Sequence, residues 1–142
     1  NTVQIADATI GPGHPCFIVS EARSNHDGNL EQARALIEAA AKVGADAVKF
    51  QLFSADKIAA KTDNQVAQLT DEFGHYASDL HQLFKQLELP PEWPAHLASS
   101  ARTLDLTFLP TPFAADPAAP LPVFVRRGVG TGDREIQARM AE

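Results

Sequence analysis

Residues 17–51, FIVSEARSNHDGNLEQARALIEAAAKVGADAVKFQ, decide the fold because they contain one strand, one helix and a second strand in that order. The first part is a nearly continuous apolar run that turns polar at Glu21, which is typical of a strand buried on both faces in a parallel sheet. Turn residues follow, and Asn29 is placed to cap a helix, with Gln32 three residues further on as its capping-box partner. The order of these signals predicts a βαβ unit.

The helix of this unit is predicted from a single apolar stripe. Its members recur at three- and four-residue spacing, and they are Leu30, Ala33, Leu36, Ile37, Ala40 and Ala41. Gly44 fits the position just past the helix end.

The second strand alternates between polar and apolar side chains. Lys49 and Gln51 fall on one face, and the opposite face carries Val48, Phe50 and Leu52. Apolar side chains toward the helices and polar side chains inward favour a barrel whose mouth binds a polar ligand. An open sheet would more often be apolar on both faces.

The remaining chain extends the same alternation on both sides. Residues 1–16 are predicted to form a lead-in, as a short hairpin or a barrel plug. Residues 17–113 form the main domain, with a polar excursion at 54–73. Two helices follow, separated by Pro90-Pro91, with apolar stripes formed by Tyr76, Leu80, Leu83, Phe84 and Leu87 and by Trp93, Leu97, Ala98, Ala101 and Leu104.

The third strand is predicted at residues 107–113, and its prolines predict that pairing stops there. Residues 114–142 are expected to be a divergent tail, a degraded third helix and fourth strand. Three prolines and four alanines in 114–122 replace any helical periodicity.

Composition excludes several classes of partner. The chain has 142 residues, 44% hydrophobic, and a net charge of −6 from 12 basic and 18 acidic side chains. No basic block exceeds Arg126-Arg127, so a nucleic-acid partner is not expected. No apolar run approaches the roughly 18 residues that span a bilayer, so no membrane partner is expected. The single cysteine, Cys16, predicts a cytoplasmic protein, and a first residue other than Met predicts a longer reading frame or processing.

Four polar side chains are the candidate site. Glu21, Lys49 and Thr111 are predicted at equivalent positions on three successive strands, which would converge on one barrel mouth. Lys49 offers a cation for phosphate or carboxylate, Gln51 an amide that fixes orientation, and Thr111 a hydroxyl for the same anion. Glu21 could orient a substrate hydroxyl or transfer a proton.

Each of these residues also has a simpler interpretation. Glu21 could simply form an ion pair with a neighbouring Lys or Arg and have no other role. A lysine inside an apolar strand, such as Lys49, is harder to explain without a function. Asn25 and His26 are explained as turn and helix-start residues. No set of His, Cys and Asp has metal-ligand spacing, so no metal ligand is predicted in this chain.

Three ordered motifs together resemble the sialic acid synthase family, N-acetylneuraminate synthase and its bacterial relatives. They are Ser-Glu-Ala-Arg-Ser-Asn-His-Asp-Gly-Asn-Leu, Val-Gly-Ala-Asp-Ala-Val-Lys-Phe-Gln and Phe-Leu-Pro-Thr-Pro-Phe, between about Ile10 and Phe113. The resemblance implies an α/β fold of the (β/α)8 TIM-barrel type, truncated here to about the first three or four βα units.

The resemblance also implies an activity. Family members condense phosphoenolpyruvate with an N-acylated sugar such as N-acetylmannosamine, and a divalent metal, manganese or magnesium, assists. Carried over residue by residue, it makes Lys49, Gln51 and Thr111 phosphoenolpyruvate-binding residues and Glu21 and Lys49 catalytic ones. By the same resemblance, the metal histidines are expected on later strands of the barrel, outside the residues that match here.

Three hypotheses follow. The chain is the N-terminal part of such a synthase, with little or no turnover by itself. Alternatively, it is a non-catalytic truncated relative that needs a partner, such as a second copy in a homo-oligomer, to cover an exposed strand edge. The third hypothesis is another phosphoenolpyruvate-using keto-deoxy sugar acid synthase.

Overall fold

The structure is a computed structural model that describes residues 2–61 and 79–113. A hairpin, β1 (Val3–Ile5) and β2 (Ala8–Ile10), precedes the main sheet, and its antiparallel register pairs Val3 with Ile10. The main sheet contains β3 (Val19–Arg23), β4 (Ala47–Leu52) and β5 (Thr107–Pro112). Its helices are α1 (Leu30–Lys42), α2 (Ala55–Ile58), α3 (Leu80–Leu87) and α4 (Trp93–Thr103).

The main sheet is parallel, with strand order β3-β4-β5. Helix α1 connects β3 to β4, and α4 leads into β5. Both helices pack on the same face of the sheet, and they contact each other. Consecutive parallel strands with helices on one face are the repeating unit of a (β/α)8 barrel.

The core lies between this helical layer and the sheet. Phe50, Val48, Ile37 and Leu97 are completely buried there, and the Phe50 and Phe108 rings have centroids 5.7 Å apart. The predicted alternation of β4 is therefore correct, because Val48 and Phe50 face the helices.

Helix α1 begins as the sequence predicts, with one difference. The Asn29 side chain accepts hydrogen bonds from the backbone N–H groups of Glu31 and Gln32, at 2.9 and 3.2 Å. Gln32 does not complete a capping box, because its amide donates to the Asn25 carbonyl at 2.5 Å and to Asp27 at 3.1 Å. This amide fixes the turn between β3 and α1, while the Asn29 N–H donates to the His26 carbonyl at 2.7 Å.

Strand β3 is more exposed than predicted. The sequence suggests a strand buried on both faces, but Ile18 and Val19 are 50% and 41% exposed. The expectation of double burial is wrong here because β3 pairs only with β4 among the described residues, which leaves it at the sheet edge.

Strand β5 continues through its prolines, so the prediction that pairing stops there is wrong. Pro110 pairs with Phe50, and Pro112 pairs with Leu52. Thr107 and Phe113 donate their N–H groups to the carbonyls of Asp46 and Leu52, at 3.0 and 2.9 Å. Odd-numbered residues of β5 therefore turn their N–H groups toward β4. The missing N–H groups of Pro110 and Pro112 would point to the other edge of β5, so no hydrogen bond between β5 and β4 is lost.

Helices α3 and α4 form where the two apolar stripes predict them. Helix α4 buries Leu97 and Ala101, and Pro94 lies in its first turn, where a missing N–H costs no intrahelical bond. Helix α3 contains Leu83, Phe84 and Leu87 of the first stripe. Tyr76, most of the 54–73 excursion and the 114–142 tail lie outside the described residues.

Candidate active site

The polar side chains occupy the sheet face opposite the helices. Glu21 of β3 lies beside Lys49 of β4, which in turn lies beside Leu109 of β5. Two residues further along, Gln51 lies beside Thr111. Because side chains alternate along a strand, all five residues share one face.

The register corrects one expectation. Glu21 and Lys49 are level with each other, as predicted, but Thr111 is not level with them. It lies opposite Gln51, one pleat nearer the carboxyl end of the sheet, and Leu109 occupies the position beside Lys49. Thr111 nonetheless shares the face of the polar pair, and the residue is only 6% exposed.

Glu21 and Lys49 form an ion pair. The Lys49 Nζ and Glu21 Oε2 atoms are 2.5 Å apart, and the two side chains are 22% and 34% exposed. This contact is the pairing that the simpler interpretation of Glu21 anticipates. A partly exposed ion pair contributes little to stability, because solvent screens the attraction and ordering two side chains costs entropy.

A β-bulge follows Glu21. The register between β3 and β4 passes from Glu21 opposite Lys49 to Arg23 opposite Phe50, so Ala22 and Arg23 occupy the space of one partner residue. Ala22 turns into the core and is 3% exposed. Arg23 has a φ of 52°, in the left-handed region that residues other than glycine seldom adopt.

A cavity of about 280 Å³ opens at this end of the strands. One wall is polar and contains Arg23, Ser24, Asn25, Asp27 and Gln51. The other is apolar and contains Phe53, Phe84 and Leu87, with the Phe53 and Phe84 rings arranged edge to face at 5.7 Å. Ligands of parallel α/β folds bind at the carboxyl ends of strands, which is where this cavity lies.

The sequence did not single out Arg23, Ser24 or the apolar wall as parts of a site. The sequence contains only part of the information needed to identify these residues. Arg23 and Ser24 directly follow a predicted strand, but the bulge that redirects the chain has no sequence signature here. The apolar wall joins Phe53 to α3, and their proximity is a tertiary contact.

His26 is a structural residue, as the sequence interpretation has it, although its environment is unexpected. It is completely buried, its Nδ1 atom accepts a hydrogen bond from the Gly28 N–H at 3.1 Å, and its ring packs edge to face on Trp93 at 5.6 Å. Burial lowers the pKa of His26 below its usual 6.5, and the nearby charge of Asp27 opposes this shift only in part. A neutral imidazole therefore joins the β3–α1 turn to α4.

The part of the chain that the structure describes contains no recognisable metal site. No group of three or more His, Cys, Asp or Glu side chains there is arranged to hold a metal ion. Across the same residues, no helix is long and apolar enough to cross a membrane.

Comparisons with known proteins agree on one family. The NeuB family model matches residues 36–124. The spore coat polysaccharide biosynthesis protein SpsE of Bacillus subtilis is 42% identical over 108 residues, which are 76% of this chain and 28% of that protein. An N,N'-diacetyllegionaminic acid synthase of Legionella pneumophila is 39% identical over 103 residues, covering 72% of this chain and 29% of that one.

A solved structure matches the fold. The N-acetylneuraminic acid synthetase of Leptospira borgpetersenii superposes with a TM-score of 0.67 at 26% identity, over 91% of this chain and 39% of that one. The parallel β–α units of this chain thus match part of a TIM-barrel sialic acid synthase. The chain spans well under half the length of each of these three proteins.

Proposed function

Because this chain belongs to the NeuB family, we propose that it forms the phosphoenolpyruvate-binding part of a synthase that joins phosphoenolpyruvate to an N-acylated sugar. In that reaction the enol carbon of phosphoenolpyruvate forms a carbon–carbon bond to the sugar aldehyde. Water supplies the oxygen of the new keto group, and inorganic phosphate leaves. The product is a 2-keto sugar acid of the sialic acid type.

The observation that carries the proposal is the Glu21–Lys49 pair. It lies on the polar face of a parallel sheet whose other face is apolar, at matched positions of adjacent strands. Stability alone gives a weak reason to place a lysine there, since the pair is partly exposed and a hydrophobic residue would pack as well. An anionic substrate supplies a stronger reason.

Lys49 is the cation for phosphoenolpyruvate in this proposal. Its ammonium group would bind the phosphate or carboxylate as a point charge with three donors. Gln51 and Thr111 lie opposite each other one pleat further on. Their amide and hydroxyl groups can donate to oxygens of the same anion and fix its orientation.

Glu21 is the candidate for proton transfer. Its carboxylate is held 2.5 Å from the Lys49 ammonium, and its side chain remains partly open to a substrate. From that position it can accept a hydrogen bond from a sugar hydroxyl or move a proton at the reacting aldehyde.

A divalent metal is implied by the family alone. The residues that the structure describes do not fit a metal site, so no step of this proposal is assigned to a metal.

The relatives support a sugar acid product without fixing the acceptor. One is named an N,N'-diacetyllegionaminic acid synthase and others are named pseudaminic acid synthases and N-acetylneuraminate-9-phosphate synthases. These names share an acidic sugar as the product. We therefore propose an N-acylated hexose as the acceptor class.

The test uses the complete product of the gene that contains this sequence. Phosphate release from phosphoenolpyruvate is followed with a panel of N-acylated sugars and unacylated aldoses, with and without manganese, and products are identified by mass spectrometry. Release that requires an N-acylated sugar supports the proposal. Release that requires an unacylated aldose supports the keto-deoxy sugar acid alternative. Absence of phosphate release with every sugar of the panel overturns both and leaves a non-catalytic relative.

A further inference from the structure

We propose that Arg23 is a specificity-determining residue that binds an oxyanion group of a substrate, a phosphate or a carboxylate, in the cavity at the carboxyl ends of β3 and β4. The identity of the substrates rests on the proposed function, but the anion-binding role rests on this chain's own geometry. Three observations carry it: the conformation of Arg23, its charge environment and its position beside Gln51.

The conformation of Arg23 is one that the local sequence disfavours. Its φ of 52° lies in the left-handed region, where a side chain costs free energy that glycine would avoid. The strain coincides with the bulge that places Arg23, rather than Ala22, opposite Phe50. Bulges that redirect a side chain and strained non-glycine residues both concentrate at binding and catalytic sites.

In the part of the chain that the structure describes, the guanidinium of Arg23 has no charge partner. Among the residues that the structure describes, Arg23 makes no side-chain hydrogen bond or ion pair. Lys49, in contrast, is engaged by Glu21 at 2.5 Å. Asp27, the acidic member of the polar wall, accepts a hydrogen bond from Gln32 at 3.1 Å. Arg23 is the basic residue among those lining the cavity.

The position of Arg23 gives it a shared cavity with Gln51 of the polar sheet face. It pairs with Phe50, the immediate neighbour of Gln51, and both Arg23 and Gln51 line the cavity. An oxyanion bound by Arg23 would therefore lie beside Gln51, which the proposed function assigns to phosphoenolpyruvate binding. A guanidinium suits this task, because its fork of donors can grip a phosphate or carboxylate with two parallel hydrogen bonds.

The cavity also explains what the rest of such a ligand would contact. Phe53, Phe84 and Leu87 form the apolar part of the same cavity lining. A substrate with one anionic or polar side and one apolar side, such as an N-acylated sugar bearing a phosphate, matches the two walls.

The oxyanion could come from either substrate, and binding measurements separate the sources. In the complete gene product, calorimetric titrations use phosphoenolpyruvate, N-acetylmannosamine and phosphorylated N-acetylmannosamine against the wild type and Arg23→Gln. Arg34→Gln is the matched control, since Arg34 is an exposed arginine of α1 paired with Glu31 at 2.8 Å. It removes the same charge at a residue that does not line the cavity.

We expect Arg23→Gln to weaken one ligand by about tenfold to a hundredfold, the loss of one or two charge-assisted hydrogen bonds. Weaker phosphoenolpyruvate binding identifies the donor as the source. A loss confined to the phosphorylated sugar identifies the acceptor phosphate. Unchanged affinity for all three ligands overturns the proposal, as does an equal loss in Arg34→Gln.

Arg23→Gly separates binding from structure. Glycine relieves the left-handed conformation, so this variant should unfold at a higher denaturant concentration than the wild type while losing the same affinity as Arg23→Gln. Asp105→Gly is the backbone control, because Asp105 has a φ of 57° in the turn before β5, and it should gain stability with unchanged affinity. If Arg23→Gly loses stability but keeps its affinity, Arg23 is a structural residue and the proposal fails.

Failure of the proposed function would look different. If the wild type binds neither phosphoenolpyruvate nor a sugar, the synthase assignment fails, and inorganic phosphate becomes the probe for Arg23. Phosphate binding that Arg23→Gln weakens still supports an anion site. Phosphate binding that is absent, or equal in both proteins, overturns it.

Discussion

Glu21 and Lys49 lie directly opposite each other on adjacent parallel strands, and their Oε2 and Nζ atoms are 2.5 Å apart. Neither residue is adjacent to the other in sequence, and 27 residues with a complete helix separate them. The polar face of the sheet therefore carries a cation and a carboxylate side by side. Each of the two residues can be replaced separately, and each replacement tests a different role.

Replacing Lys49 tests its role as the cation for phosphoenolpyruvate. In the complete gene product, Lys49→Met should weaken phosphoenolpyruvate binding by about tenfold to a hundredfold, because a charge-assisted hydrogen bond is lost. Calorimetry measures the dissociation constant. Lys42→Met, on the last turn of α1, is the matched control and should bind normally. Wild-type affinity in Lys49→Met would exclude the assigned role.

Replacing Glu21 separates proton transfer from simple pairing with Lys49. Glu21→Gln should lower the turnover number by roughly a hundredfold, within the range of a lost acid–base group, while the affinity for phosphoenolpyruvate changes little. The free energy of unfolding should fall by no more than about 1 kcal/mol, because the ion pair is partly exposed. A normal turnover number with a small loss of stability would show that Glu21 only pairs with Lys49.

Thr111→Val removes a hydroxyl and keeps the shape of the side chain. Thr111 is nearly buried opposite Gln51, so the lost hydrogen bond to the bound anion should weaken phosphoenolpyruvate binding by about fivefold to tenfold. The control is Thr107→Val, four residues earlier on the same strand face, opposite Ala47. Equal effects of the two substitutions would mean that the change acts through β5 and not through the ligand.

His26 should make stability depend on pH. Burial lowers the pKa of His26 in the folded chain below the 6.5 expected when unfolded, so the unfolded state binds the proton more readily. Stability should therefore be at its full value above about pH 6.5 and decrease as the pH falls below it. Urea midpoints between pH 8 and pH 5 measure the effect.

The His26 prediction has an internal control. His26→Gln should lose much of this pH dependence, whereas His96→Gln, on an exposed position of α4, should retain it. Parallel pH profiles for the wild type and His26→Gln would contradict the prediction.

Asp56 should titrate far below an ordinary aspartate. Its Oδ1 atom lies 2.6 Å from the Lys61 Nζ and 2.9 Å from the His81 Nε2, and these hydrogen bonds lower the pKa of Asp56 to about 2. The lowered pKa adds stability that is present above the unfolded value near 3.8 and is lost as the pH falls toward 2. Carboxyl chemical shifts followed by NMR give the pKa directly.

Lys61→Met should raise the pKa of Asp56 toward 3.8, because it removes the largest of the interactions that lower it. Lys42→Met, remote on α1, should leave the titration unchanged. If Asp56 titrates near 3.8 in the wild type, its hydrogen bonds to Lys61 and His81 do not persist in solution.

Much of the fold could be predicted from residues that act locally. The limits of β4, the cap at Asn29 and the buried stripe of α1 follow from alternation, side-chain chemistry and helical spacing. The same alternation placed Lys49 and Gln51 on the face away from the helices. These features are local because each depends on residues within a few positions of one another.

Apart from the capping box that Gln32 does not complete, the errors concern contacts between distant segments. The exposure of β3 depends on which strands flank it, and pairing through Pro110 and Pro112 depends on which edge of β5 meets β4. The misplacement of Thr111 relative to Lys49 is a register error of one pleat, which strand sequences alone rarely fix.

The sequence by itself determined the βαβ pattern, the family motifs and the four polar candidates, because periodicity and turn chemistry are properties of short segments. Only the tertiary structure decided that Glu21 reaches Lys49, that His26 is buried against Trp93 and that Arg23 lines a cavity beside Gln51. The first depends on strand register, the second on the packing of the β3–α1 turn against α4, and the third on the bulge after Glu21. Register and bulge are set by the packing of whole elements, where a shift of one residue moves a side chain to the opposite face.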